Sequence, residues 1–142
     1  MLARAIALSL AAALAAPAAA EVAADAPMSY RLETEGSTAS LRIGEKGRVV
    51  LRFVPVEKGV HVDPRAPLKI KVEASPGLRA EKASLGRADA TDPKSESPRF
   101  EVPVVAVAAG AQEAKLLLDF FVCSDSWCVK QARTVAVPVQ VR

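Results

Sequence analysis

The feature that most restricts this chain is the recurrence of apolar residues at every second position, in short runs closed off by turn-forming residues. Val49, Leu51 and Phe53 alternate with Val50, Arg52 and Val54, and Leu68, Ile70 and Val72 alternate with Lys69, Lys71 and Glu73 until Ser75-Pro76-Gly77 ends the run. Successive side chains of a strand point to opposite sides, so a period of two marks a strand with one buried face. Ala39, Leu41 and Ile43 alternate with Ser40 and Arg42, and Gly44-Glu45-Lys46-Gly47 separates them from the Val49 run. The two runs together predict a hairpin. Phe100, Val102, Val104 and Ala106 share one face; after a turn at Ala108 to Gln112, Leu116, Leu118, Phe120 and Val122 share another. Val135, Val137, Val139 and Val141 alternate with Thr134, Ala136, Pro138 and Gln140. Pro138 cannot donate to a ladder, which predicts an edge or a local bulge there. Gly86 to Pro98 is too polar for a core element and reads as a surface loop. Seven or eight short strands without a convincing helix predict an all-β, immunoglobulin-like antiparallel β-sandwich over residues 28–142, with a small barrel as its rival.

The N-terminus follows a different rule. Arg4 gives a positive start, Ala5 to Ala16 form an apolar run interrupted by Ser9, and Ala18-Ala19-Ala20 is a small-residue cleavage site before Glu21. This predicts a secretory signal peptide over residues 1–20 and a flexible leader over 21–27. The run stops at Pro17, short of the ~20 apolar residues that a spanning helix needs. No cysteine follows the cleavage site, so the lipid attachment of a bacterial lipoprotein has no acceptor. The expected location is periplasmic or secreted, with no transmembrane segment in the mature chain.

Composition removes several classes of function. With one His, 10 Pro and 4% aromatic residues the chain is poorly suited to a haem pocket, a histidine-rich metal cage or a long helical bundle. The formal net charge is +3 and the charges alternate in sign along the chain, without the basic stripe and interleaved aromatics of a nucleic-acid binder. No Gly-x-Ser-x-Gly elbow or phosphate loop accompanies His61, and one His with two Cys falls short of the usual four metal ligands. His61 therefore reads as a plain strand-end or surface residue, and no cofactor or metal is expected.

Chemistry is left to the two cysteines, which lie in Cys123-Ser124-Asp125-Ser126-Trp127-Cys128 between two strongly alternating runs. An even cysteine count in an exported protein predicts a disulfide, and four intervening residues at a hairpin bring two Cα atoms into the ~4.4–6.8 Å range that the bond requires. As a staple it closes a loop of about six residues and contributes roughly 2 kcal/mol, less than a longer loop would. As a redox couple it would lie in an exposed turn open to thiolate attack. Lys130 points to the same side as Cys128 on a strand and favours a thiolate there, whereas Asp125 opposes one. Both roles remain open on these residues alone.

Order and spacing across residues 54–141 resemble the N-terminal periplasmic domain of the thiol:disulfide interchange protein DsbD, the disulfide bond corrector family. The resemblance is carried by Val56-Glu57-Lys58-Gly59-Val60-His61-Val62, by Leu68 to Ala74 followed by Pro76-Gly77-Leu78, and by Phe100 to Val107. It is most specific over Leu116 to Val141, an apolar strand, paired cysteines with an acidic residue between them, and a Val-rich final strand. It differs in having Val129-Lys130-Gln131 where the family commonly has Pro after its second cysteine, and no aromatic in Gly86 to Pro98, the counterpart of the family's capping loop. The resemblance implies an immunoglobulin-like domain in which Cys123 and Cys128 shuttle electrons between a membrane-bound donor and thioredoxin-like periplasmic partners, Cys128 forming the mixed disulfide. The donor is expected to be a separate protein. The contrasting expectation is a non-catalytic binding or accessory domain whose disulfide is a structural clip.

Overall fold

A computed structural model describes residues 29–142. The expected signal peptide at residues 1–20, the expected leader at 21–27 and Met28 lie outside the described residues. The described chain forms ten strands, β1 (Tyr30–Glu33), β2 (Ser40–Leu41), β3 (Lys46–Pro55), β4 (His61–Val62), β5 (Lys69–Ala74), β6 (Leu78–Ala80), β7 (Ser84–Gly86), β8 (Arg99–Ala106), β9 (Gly110–Cys123) and β10 (Cys128–Val141), with one 3₁₀ turn at Arg87–Asp89. They make two sheets, β1-β3-β8-β6 and β2-β10-β9-β5-β7, with β4 on the flank of β9 beyond β5. Every pairing is antiparallel except that of β2 with β10. The result is an immunoglobulin-like β-sandwich.

The alternating runs supply the two inner faces. Val49, Leu51 and Phe53 of β3 and Phe100, Val102 and Val104 of β8 meet Ile70 and Val72 of β5 and Leu116, Leu118, Phe120 and Val122 of β9. A chain of edge-to-face rings crosses the interior: Phe100 to Phe53 at 6.0 Å, Phe53 to Phe120 at 4.8 Å and Phe120 to Tyr30 at 5.3 Å between centroids. Such pairs add about 0.5–1.5 kcal/mol each beyond the area they bury. Val50 is also buried although it points away from this core. The Ser37 hydroxyl accepts from its amide at 2.8 Å, which lays the loop after β1 across it.

The expected hairpin of Ala39–Ile43 with Val49–Phe53 does not form. β2 belongs to the other sheet and lies parallel to β10, with Ser40 opposite Gln140 and Leu41 opposite Val141. Gly44, at a φ of +89°, turns the chain between the sheets, and its amide donates to the Ala106 carbonyl at 2.7 Å. A period of two specifies a face and says nothing of the partner. Leu41 buries its side chain by crossing, and Ile43, just before the turn, is left exposed.

Pro138 sits where its missing donor costs nothing. The Gln140 and Arg142 amides donate toward the β2 side, to Ala39 and Leu41, so residue 138 by parity faces that side too. β2 pairs only with Gln140 and Val141, so at Pro138 the strand is locally an edge.

Candidate functional site

β9 and β10 pair along all 14 residues of each, and the register ends with Cys123 opposite Cys128. The two sulfurs are joined in a disulfide with Cα atoms 4.1 Å apart. That separation falls just below the range expected from the sequence, and the ladder explains why. The Ser124 amide donates to the Trp127 carbonyl at 2.8 Å, so the cysteines occupy the adjacent non-hydrogen-bonded position, where opposed Cα atoms approach to about 4.5 Å. The loop beyond the bond is closed by Ser124, whose hydroxyl accepts from the Ser126 amide at 3.2 Å. A bond of this kind persists in oxidising compartments, which places the domain outside the cytoplasm. Among the described residues no helix is long and apolar enough to cross a membrane.

Because Leu116, Leu118, Phe120 and Val122 face the core, Phe121 and Cys123 project from the outer face of the sheet. Cys128 and Lys130 share that face, Lys130 opposite Phe121 and exposed. The two cysteines differ sharply in exposure: the Cys123 residue is 1% exposed, whereas Cys128 is an exposed residue. Asp125 is exposed at the loop, and Trp127 is 36% exposed.

On the other flank of β9, β4 places His61 opposite Cys123 and Val62 opposite Val122. Val62 points inward and is buried, so His61 lies on the outer face beside the disulfide. The row His61, Cys123, Cys128 thus runs across three neighbouring strands. Sequence reasoning assigned His61 a plain role at a strand end. It does end a strand, but the 61 residues between it and Cys123 hide the pairing, and only β4–β9 registry could have revealed it.

A polar brace fixes β4. The Arg87 guanidinium donates to the carbonyls of Asp63 at 2.7 Å, Ser95 at 3.2 Å and Val62 at 3.4 Å, and the Val62 amide donates to Glu96 at 3.2 Å. The expected surface loop Gly86–Pro98 therefore lies against the far side of β4. Burial lowers the Arg87 pKa, and the nearby Asp63 charge partly offsets this. The backbone amide of Arg65 donates to Asp63 at 2.8 Å and, with the Arg65 side chain, holds that carboxyl below the usual carboxylate range. Asp63 Oδ2 is 3.7 Å from His61 Nε2. On the inner side, the Tyr30 hydroxyl donates to buried Gln131 at 3.1 Å beneath the hairpin, and burial pushes the phenol pKa up. Among the described residues no group of three or more His, Cys, Asp or Glu gathers to hold a metal ion.

No family model matches the chain, and no curated protein matches it. Among solved structures it is similar to a conjugative transposon lipoprotein from Bacteroides eggerthii, at 8% identity and a TM-score of 0.46 over 80% of this chain and 98% of that one. It is similar to a lipoprotein from Bacteroides thetaiotaomicron at 13% identity and a TM-score of 0.41, over 78% of each chain. It is also similar to domains 4 and 5 of the S-layer protein SbsC at 14% identity and a TM-score of 0.39, over 78% of this chain and half of that one.

Proposed function

We propose that this protein is an extracytoplasmic thiol:disulfide exchange module that passes electrons between a separate membrane-bound donor and thioredoxin-like partners through Cys123 and Cys128. The observation that supports it is the asymmetry of the bond, with Cys123 1% exposed and Cys128 open to solvent. Exchange proceeds by attack of a thiolate on one sulfur and departure of the other, and access decides which is attacked. Cys128 is the sulfur that an incoming thiolate reaches, and Cys123 is the one that leaves. In the reduced domain the same asymmetry makes Cys128 the attacking thiol, with Lys130 on its face to favour the thiolate.

As a clip the bond is inefficient, because it closes about six residues, worth roughly 2 kcal/mol, at the end of a hairpin already paired along its full length. Equilibration of the protein in glutathione buffers should give a potential above about −300 mV, the value below which structural disulfides typically lie. Cys123→Ser should trap a mixed disulfide with a thioredoxin-like protein, and Cys128→Ser should trap far less. A potential well below that limit with no adduct from Cys123→Ser assigns the domain to the other class, a binding or accessory module with a structural disulfide.

A further inference from the structure

Opening the bond leaves a sulfur with little contact with water. When a thiolate attacks Cys128, the electron pair of the broken bond moves onto Cys123 Sγ, and Cys123 is 1% exposed. Burial disfavours the charged form of a thiol, so the departing sulfur needs a proton from close by. His61 is opposite Cys123 in the register, and directly opposed residues of antiparallel strands share a face with Cβ atoms about 4.5–5.5 Å apart. Imidazole is the side chain suited to giving and taking protons between pH 5 and 8. The ring is also held: Nε2 faces the Asp63 carboxylate at 3.7 Å, and the strand that carries it is fixed by Arg87.

We propose that His61 is the proton donor to Cys123 when the disulfide opens, and the proton acceptor when it re-forms. This rests on the exchange reading above. A partner with two neighbouring thiols attacks Cys128 as a thiolate; a sulfur–sulfur bond forms to Cys128, the Cys123–Cys128 bond breaks, and the Cys123 thiolate takes the proton of the imidazolium. The partner's second thiol then gives its proton to solvent and displaces Cys128 as a thiolate, which takes a proton from solvent, as the neutral imidazole does to regain its own. The partner ends as a disulfide and both cysteines as thiols, with two electrons and two protons transferred. Asp63 faces the imidazole, with Arg65 on the same segment paired to that carboxylate; the neighbouring elements carry Arg87, in the loop beside β4, and Asp125 and Lys130, on the β9–β10 hairpin.

The test is the rate at which dithiothreitol reduces the full chain between pH 5 and 9, divided at each pH by the reductant's thiolate fraction. In the wild type this corrected rate should fall as pH rises through the imidazole range. In His61→Gln it should be flat, and lower than wild type by about tenfold or more at pH 5.5, a modest effect beside the ~10²–10⁴ typical of general acids. A measurement on the unaltered protein guards against a folding defect in the variant. His61 is the only histidine, so its ring signals are assigned without ambiguity. Their chemical shifts should change when the disulfide is reduced, as they must if the ring lies against Cys123. Rapid reduction with the same corrected profile in both proteins, or ring signals indifferent to redox state, overturns the role of His61 and leaves exchange standing. A bond that dithiothreitol does not reduce at any pH overturns both.

Discussion

Asp89 accepts from the Gly86 amide at 2.8 Å and pairs with the Lys82 ammonium, which together hold its carboxyl below the usual range, as Arg65 does for Asp63. A carboxyl whose folded pKa is depressed contributes stability above its unfolded value near 3.9, and loses it as pH falls through the folded value. Urea unfolding should therefore show lower stability at pH 2.5 than at pH 6. Asp89→Asn should remove part of that difference while lowering stability at pH 6. At this level the sequence was a good guide to the cysteines, because C-x4-C between alternating runs leaves few geometries. Lys130 also projects from the side that strand parity predicts. The place of His61 was not legible, because it depends on a two-residue strand meeting Cys123 across the sheet, and neither Asp63 nor Arg65 advertises that meeting in its neighbours.

The long strands followed directly from the alternation: Leu68–Val72, Phe100–Ala106 and Leu116–Val122 bury the residues they were expected to bury. The alternation of Ala39–Ile43 marks β2 as a strand but not its partner, which is β10 rather than the neighbouring run, and the two residues of β4 have no period to read. The turns at Ser75-Pro76-Gly77 and after Ala106 are legible in the sequence, but not that they carry the chain between sheets, and Gln112 holds them together. Its Oε1 accepts from the Ser75 hydroxyl at 2.8 Å and the Gly77 amide at 3.0 Å, tying the β5–β6 corner to the β8–β9 corner. A Cβ on Gly77 would fall 2.1 Å from Gln112 Cδ, so Gly77→Ala must expel that side chain and forfeit both bonds. Chemical denaturation should show a loss of roughly 1–3 kcal/mol, the cost of part-buried polar groups left unpaired. In Gln112→Ala the same glycine change should cost much less, because the obstruction and the bonds are already gone.

The two sheets pack through rings and branched aliphatics, and neither cysteine belongs to that core cluster. The double Cys→Ser variant should keep its β-sheet circular dichroism and a cooperative melt, with stability lower by about 2 kcal/mol out of a typical total of 5–15. Unfolding at room temperature would instead mark the bond as a clip. The parallel contact of Ser40 with Gln140 bears on a different matter, the order in which the molecule assembles. β2 and β4 have no neighbour until β10 and β9 arrive, and β6 has none until β8 does. A chain delivered N-terminus first, whether from a ribosome or through a pore, can form only β1 with β3 and β5 with β7 before its final third arrives, and such non-local pairings close slowly. It stays loose enough to thread until the β9–β10 hairpin emerges. The cysteines, five positions apart, then meet within that hairpin, so oxidation can precede closure of the sandwich and the machinery that oxidises them need not wait for a finished fold.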